Sequence, residues 1–188
     1  MQLTVQGKQI DVGEALRQHV EDCLTETAEK YFSDPIEATV VFSKEAGHLF
    51  KVDISIHLGR GIMLQAHHEA EDPYPAFDQA TDRVAKRMRR YKNKLKNHHK
   101  RISQMPEAAN VSATDYILQD EEENFENGEE PVIVAETVTS IQEMTPGEAV
   151  MRMDLADAPA LMFKNSKNDR INMVYRRTDG NIGWVDPA

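Results

Sequence analysis

Cysteine is almost absent from this chain. One thiol, Cys23, stands among 188 residues, which rules out an intramolecular disulfide and leaves no thiolate metal cluster. Its place in a segment of helical period reads as a reduced core or helix-surface thiol rather than a nucleophile. Aromatic residues make up 6%, which argues against a large aromatic core. No apolar run reaches membrane length. The first residues, MQLTVQGKQI, hold neither a basic n-region nor an apolar h-region. The expectation is a cytosolic, cytoplasmic protein with no membrane partner.

Catalytic signatures are missing too. There is no Gly-rich phosphate loop, no GxSxG and no HExxH. Two histidine pairs stand out, His67-His68 and His98-His99. Neighbouring strand residues face opposite ways, and neighbouring helix residues stand about 100° apart, so neither pair makes a ready chelate. Glu71-Asp72 fits helix capping better than acid–base work. The residues therefore point away from an enzyme, and they call for no metal and no cofactor.

The most informative absence is local. From Arg83 to Arg101 there is no Asp or Glu, while ten Lys and Arg are present. Taking those ten cations out of a chain of net charge −10 leaves −20 on everything else, so the charge is segregated. The stretch also has helical period. Phe77, Ala80, Val84, Met88, Tyr91 and Leu95 recur at steps that place them on one stripe. Arg83, Arg87, Arg90 and Lys94 run down a second stripe, with Lys86 beside them and Arg89 nearby. Asp72 before Pro73 supplies an N-cap and a proline at the first helical position. A charged helix face is ordinarily just solvated, but such faces mix signs, because like charges one turn apart repel. Here nothing within the helix compensates. A polyphosphate backbone is the commonest external partner for such a face. The RNA-binding candidates are Arg83, Lys86, Arg87, Arg89, Arg90 and Lys94, with Arg17 from the first helix and Lys8 near the first turn.

Taken in order, Leu3 and Val5 alternate as a short strand ended by Gly7. Asp11 with Glu14 resembles a capping box, and a helical stripe follows from Ala15 to about Phe32. Asp34-Pro35 breaks it. Residues 36–42, 52–58 and 62–68 alternate as strands, joined at Ala46-Gly47 and Gly59-Arg60-Gly61. The order is β-α-β-β-β-α over 1–102. That predicts an α+β, two-layer domain with both helices on one sheet face, the other face showing Thr4, Thr39, Asp53, Ser55, His57, Met63, Gln65 and His67. Residues 104–130 hold nine acids and no base, so 103–130 reads as an acidic disordered linker. Order is expected to return at 131–188: a strand over Val132–Val138, a helix opened by the Thr145-Pro146-Gly147-Glu148 capping box, a strand over Ile171–Arg176, and a turn at Thr178 to Asn181. A mostly-β unit this small has a marginal core, which favours burial against a second copy.

The run Asp72-Pro73-Tyr74-Pro75-Ala76-Phe77-Asp78 into Lys86-Arg87-Met88-Arg89-Arg90-Tyr91-Lys92-Asn93-Lys94-Leu95 resembles the ribosome hibernation promoting factors of bacteria. So do Glu148-Ala149, Phe163-Lys164-Asn165 and the run from Val174 to Gly183, which look like the C-terminal domain of the long form. The resemblance implies a ribosome- and ribosomal-RNA-binding domain at 1–102. It would sit in the messenger and transfer RNA channel of the small ribosomal subunit, against RNA and ribosomal protein. It also implies a homodimer through 131–188 that joins ribosomes into inactive pairs, with Phe163, Ile171, Val174, Tyr175 and Trp184 in or near the dimer sheet. Two departures stand out: Cys23 occupies a position where the family often has Lys, and Trp184-Val185 replaces the usual aliphatic pair. The rival readings are a general RNA-binding or RNA-chaperone protein, and a scaffold that recruits partners through its acidic linker.

Overall fold

The computed structural model describes residues 2–31, 37–45, 48–58, 62–102, 111–119 and 132–187, with side chains at 28, 29, 31 and 95–102 outside that description. The breaks and turns expected at Asp34-Pro35, Ala46-Gly47 and Gly59-Arg60-Gly61 lie outside the described residues. The ends of the two turns close nonetheless: Glu45 N donates to Leu49 O at 2.9 Å, and Leu58 N to Ile62 O at 3.0 Å.

Alternation builds the first layer. Strands β1 (Gln2–Lys8), β2 (Glu37–Lys44), β3 (Phe50–His57) and β4 (Met63–Ala70) form one sheet in the order β1-β2-β3-β4. β1 runs parallel to β2 because helix α1 (Glu14–Tyr31) crosses between them, and the rest is an antiparallel meander. Register sets Val40 opposite Ile54 and Phe42 opposite Val52, then Ile54 opposite Ala66 and Ile56 opposite Leu64. These residues are buried on one face. The other face carries Thr39, Asp53, Ser55, Gln65 and His67, none of them buried.

Both helices cover the apolar face. α1 contributes Leu16, Val20 and Leu24 to the core, and α2 (Pro73–Ile102) contributes Phe77, Ala80, Val84, Met88 and Tyr91. The Phe42 and Phe77 rings stand 6.4 Å apart across the layers. The start of α2 is as the sequence predicts: Tyr74 N donates to Asp72 Oδ1 at 2.9 Å. The start of α1 is not. Arg17 N donates to Gly13 O at 3.1 Å, so Gly13 rather than Asp11 precedes the first helical residue, and Asp11 is left exposed. β1 also runs past Gly7. A Cβ there would stand 2.2 Å from the Ile10 carbonyl, so only glycine admits that chain reversal.

The second half holds two sheets. Val111–Leu118 (β5) pairs antiparallel with Ile133–Ile141 (β6), and both strands are largely exposed. Secondary structure therefore enters the segment expected to be an acidic linker. Acid count dominated that expectation, whereas the local run Tyr116-Ile117-Leu118 has strand propensity. The acid-dense part of that segment, 120–130, lies outside the described residues. The remaining strands β7 (Glu143–Met144), β8 (Ala160–Asn165), β9 (Ile171–Arg176) and β10 (Ile182–Val185) form a sheet in the order β10-β9-β8-β7. The β9–β10 turn uses Gly180 at φ 83, a left-handed position that favours glycine. Gly183 is open because the Tyr175 ring stands over it; a Cβ there would come within 2.3 Å of that ring.

Helix α3 (Pro146–Leu155) opens with the capping box read from the sequence: Glu148 N donates to Thr145 Oγ1 at 3.3 Å and Thr145 N to Glu148 Oε2 at 2.9 Å. Its residues are shared between two cores. Ala149 and Met153 pack with Met144, Phe163 and Val174. Met151 and Leu155 join the large N-terminal cluster. The small C-terminal unit thus gains support from the N-terminal layers.

Candidate nucleic-acid interface

Two faces of α2 do different things. Lys86 and Arg89 are exposed, and neither makes an ion pair among the described residues. Lys94 is exposed, with Nζ 5.8 Å from the Tyr91 ring centre. Arg83 and Arg87 turn instead toward the open edge of the sheet. β4 is an edge strand, and its outward carbonyls need donors. Arg83 Nη1 donates to His67 O at 2.8 Å, and Arg87 donates to Gln65 O one turn further on.

The end of α3 meets the same face. Arg87 pairs with Asp157, and Arg90 Nη1 donates to Asp154 Oδ2 at 3.0 Å. Asp154 also accepts from Arg176 Nη2 at 3.1 Å, and His67 Nδ1 lies 3.4 Å from Asp157 Oδ2. Burial alone would push the Asp154 carboxyl up. Hydrogen bonds from Arg176 and Tyr91 and the charge of Arg90 outweigh that, and hold it below its ordinary value. The Tyr91 hydroxyl is pushed up, first by burial and then by the Asp154 charge. Asp157 sits just past the C-cap at φ 52, a conformation Asp tolerates.

The other sequence-predicted cations are not gathered here. Arg17 donates from Nε to Val12 O at 3.2 Å and from Nη1 to Val5 O at 2.8 Å, tying α1 to β1. Lys8 also lies on β1. That is the opposite sheet edge from β4. The side chains of Lys96, His98, His99, Lys100 and Arg101 lie outside the described residues.

The expected dimer residues divide between two sheet faces. Phe163 and Val174 are buried on the face under α3. Ile171 and Tyr175 alternate onto the open face, with Met162, Met173 and Val185. Trp184 is 54% exposed, and its Nε1 donates to Asn172 Oδ1 at 2.9 Å.

Sequence reasoning missed Asp154 and Asp157. A signal existed: carboxylates at a helix C-terminus oppose the macrodipole, and such a placement asks for cations nearby.

Fold and charge define a class, a two-layer α+β module that presents a cationic helix and carries a small β-rich unit behind it. The chain belongs to the long form of the ribosome hibernation promoting factors. The model for the family described as Sigma 54 modulation protein / S30EA ribosomal protein matches residues 3–96, and the model for the C terminus of the same family matches residues 128–183. A ribosome hibernation promotion factor of Bradyrhizobium diazoefficiens is 42% identical over 193 residues, spanning 100% of this chain and 95% of the relative. One from Bacillus subtilis is 30% identical over 198 residues, spanning 100% of both. A crystal structure of the Thermus thermophilus Protein Y N-terminal domain is 29% identical, covers 48% of this chain and 99% of that one, and superposes with a TM-score of 0.43. The family comprises ribosome-binding proteins that are not enzymes, and its role is ribosome hibernation.

Proposed function

We propose that the chain silences translation in the cytoplasm by occupying the messenger and transfer RNA channel of the small ribosomal subunit with α2. We further propose that its C-terminal sheet pairs with a second copy, joining two ribosomes into an inactive dimer. The observation that carries the first part is the cation row on α2: Lys86, Arg89 and Lys94 are exposed, and the sequence holds no acid from Arg83 to Arg101. Thirty residues of helix span about 45 Å, enough to cross a groove and touch several phosphates. Neutralising phosphates releases counterions, a term that favours binding without reading sequence. The open face of the C-terminal sheet, with Met162, Ile171, Met173, Tyr175 and Val185, supports the second part.

The closed arrangement bears on how binding starts. Lys86, Arg89 and Lys94 are presented outward, while Arg87 and Arg90 are held by Asp157 and Asp154. Engagement of Arg87 and Arg90 then requires phosphates to displace these carboxylates. Sucrose-gradient sedimentation of ribosomes with the full chain tests the reading. Wild-type protein should bind and shift ribosomes to a heavier species. Lys86→Glu with Arg89→Glu should abolish binding, and Met173→Asp should keep binding but abolish the heavier species. Unchanged occupancy after the charge reversal would overturn the first part.

A further inference from the structure

A second cluster lies on the far side of α2, where it meets α1. His19 and Cys23 stand one turn apart on α1, and at that spacing two side chains share a face. Asp78 faces them from α2. One ligand atom from each of the three lies within 4.8 Å of the others. His19 Nε2 is 2.8 Å from Asp78 Oδ1, and Cys23 Sγ is 3.9 Å from His19 Nε2. The imidazole is held in place by two rings, Tyr74 at 5.3 Å and Phe77 at 5.6 Å between centroids. Orientation is thus set before any ligand arrives.

We propose that His19, Cys23 and Asp78 form a site for a borderline-soft divalent cation of the Zn²⁺ class. One nitrogen, one sulfur and one oxygen donor match the ligand set such an ion takes, and a fourth position stays open to water. Bond lengths of about 2.0–2.3 Å place neighbouring tetrahedral ligands about 3.3–3.6 Å apart. The observed 2.8 and 3.9 Å straddle that range, and the third pair lies within 4.8 Å, so side-chain rotations of Cys23 and Asp78 must draw the donors together around the ion. The surroundings favour a cation. Glu26 and Asp82 line the groove beside Cys23 and Asp78. Burial, and then the charges of Asp78, Glu26 and Asp22, push the thiol up, and a bound cation takes the place of its proton. The buried hydroxyl of Thr81 lines the same groove without a hydrogen-bond partner among the described residues. An ion here clamps α1 to α2.

The test is titration of reduced full-length protein with Co²⁺ alone, followed by competition with Zn²⁺. Wild type should give thiolate-to-cobalt charge-transfer absorption and tetrahedral ligand-field bands, both erased by Zn²⁺. Cys23→Ser should remove the charge-transfer band. His19→Gln and Asp78→Asn should each weaken Co²⁺ binding by more than about tenfold, a factor that even outer-shell partners reach. Zn²⁺ should raise the melting temperature of wild type and not of Cys23→Ser. The proposal is overturned if wild type shows no thiolate band, or if Co²⁺ binding survives both Cys23→Ser and His19→Gln, which would place the ion on other histidines. Ribosome binding is not read in this test, so its failure leaves the functional reading standing.

Discussion

Arg90 of α2 and Asp154 of α3 join the two halves of the chain through a 3.0 Å contact. The guanidinium is 64% exposed and the carboxylate 14%. Such a pair is worth about 0.2–1 kcal/mol. It holds a cation without locking it.

Replacing Asp154 and Asp157 together by Asn should therefore release Arg87 and Arg90, at a cost to stability that is larger for Arg87–Asp157, whose side chains are only 16% and 22% exposed. Affinity for small subunits is expected to rise by roughly three- to tenfold, the equivalent of about 0.7–1.4 kcal/mol from freeing the two arginines. Filter binding at fixed salt measures this. An unchanged affinity would mean that these two arginines do not reach RNA.

The electrostatic part has its own signature. Log K should fall linearly with log salt. Lys86→Ala and Arg89→Ala should each flatten that slope by about 0.7–0.9. Arg87→Ala makes a poorer probe, because that side chain also serves the Gln65 carbonyl. Salt titrations of the single and double variants separate the cases.

Packing of α3 onto the first domain predicts an asymmetry among apolar substitutions. Leu155→Ala removes a fully buried side chain from the large cluster and should destabilise by about 2–5 kcal/mol. Met162→Asp, on the open face and 53% exposed, should leave the melting temperature nearly unchanged while splitting the proposed dimer. Denaturant melts and sedimentation velocity read the two effects independently.

Acid should loosen the closed form through Asp154. Its carboxyl is held below the ordinary value of 3.8. The favourable term is thus fully present above that value and is lost as pH falls through the lowered one. The stability difference between wild type and Asp154→Asn should be largest near neutrality and should shrink below about pH 4. A constant difference between pH 7 and pH 3 would contradict this.

Much of the N-terminal domain could be read in advance because its two periods are clean. Ile54 and Ile56 sit between polar neighbours, and Val84, Met88 and Tyr91 keep one helical stripe, so each element announces its buried side. Asp72-Pro73 marked a helix start for the same local reason. Gly13 was missed because a glycine cap has no side-chain signal to compete with Asp11-x-x-Glu14. The strand at Val111–Leu118 was hidden by the acids that follow it. The engagement of Arg87 and Arg90 could not be read from their own neighbourhood at all, since their partners lie more than sixty residues downstream. His19 and Cys23 showed a helical spacing, but only the packing of α1 on α2 brings Asp78 to them.

Met151 and Met153, two positions apart on one short helix, are each fully buried and belong to different hydrophobic clusters. Helix α3 therefore has almost no side left free to drift. A saturation scan across its ten residues should find intolerance on both flanks, where an ordinary amphipathic helix would show one permissive stripe. Severing the protein between its halves would then bare an oily scar on each piece, so the two halves are obliged to change together.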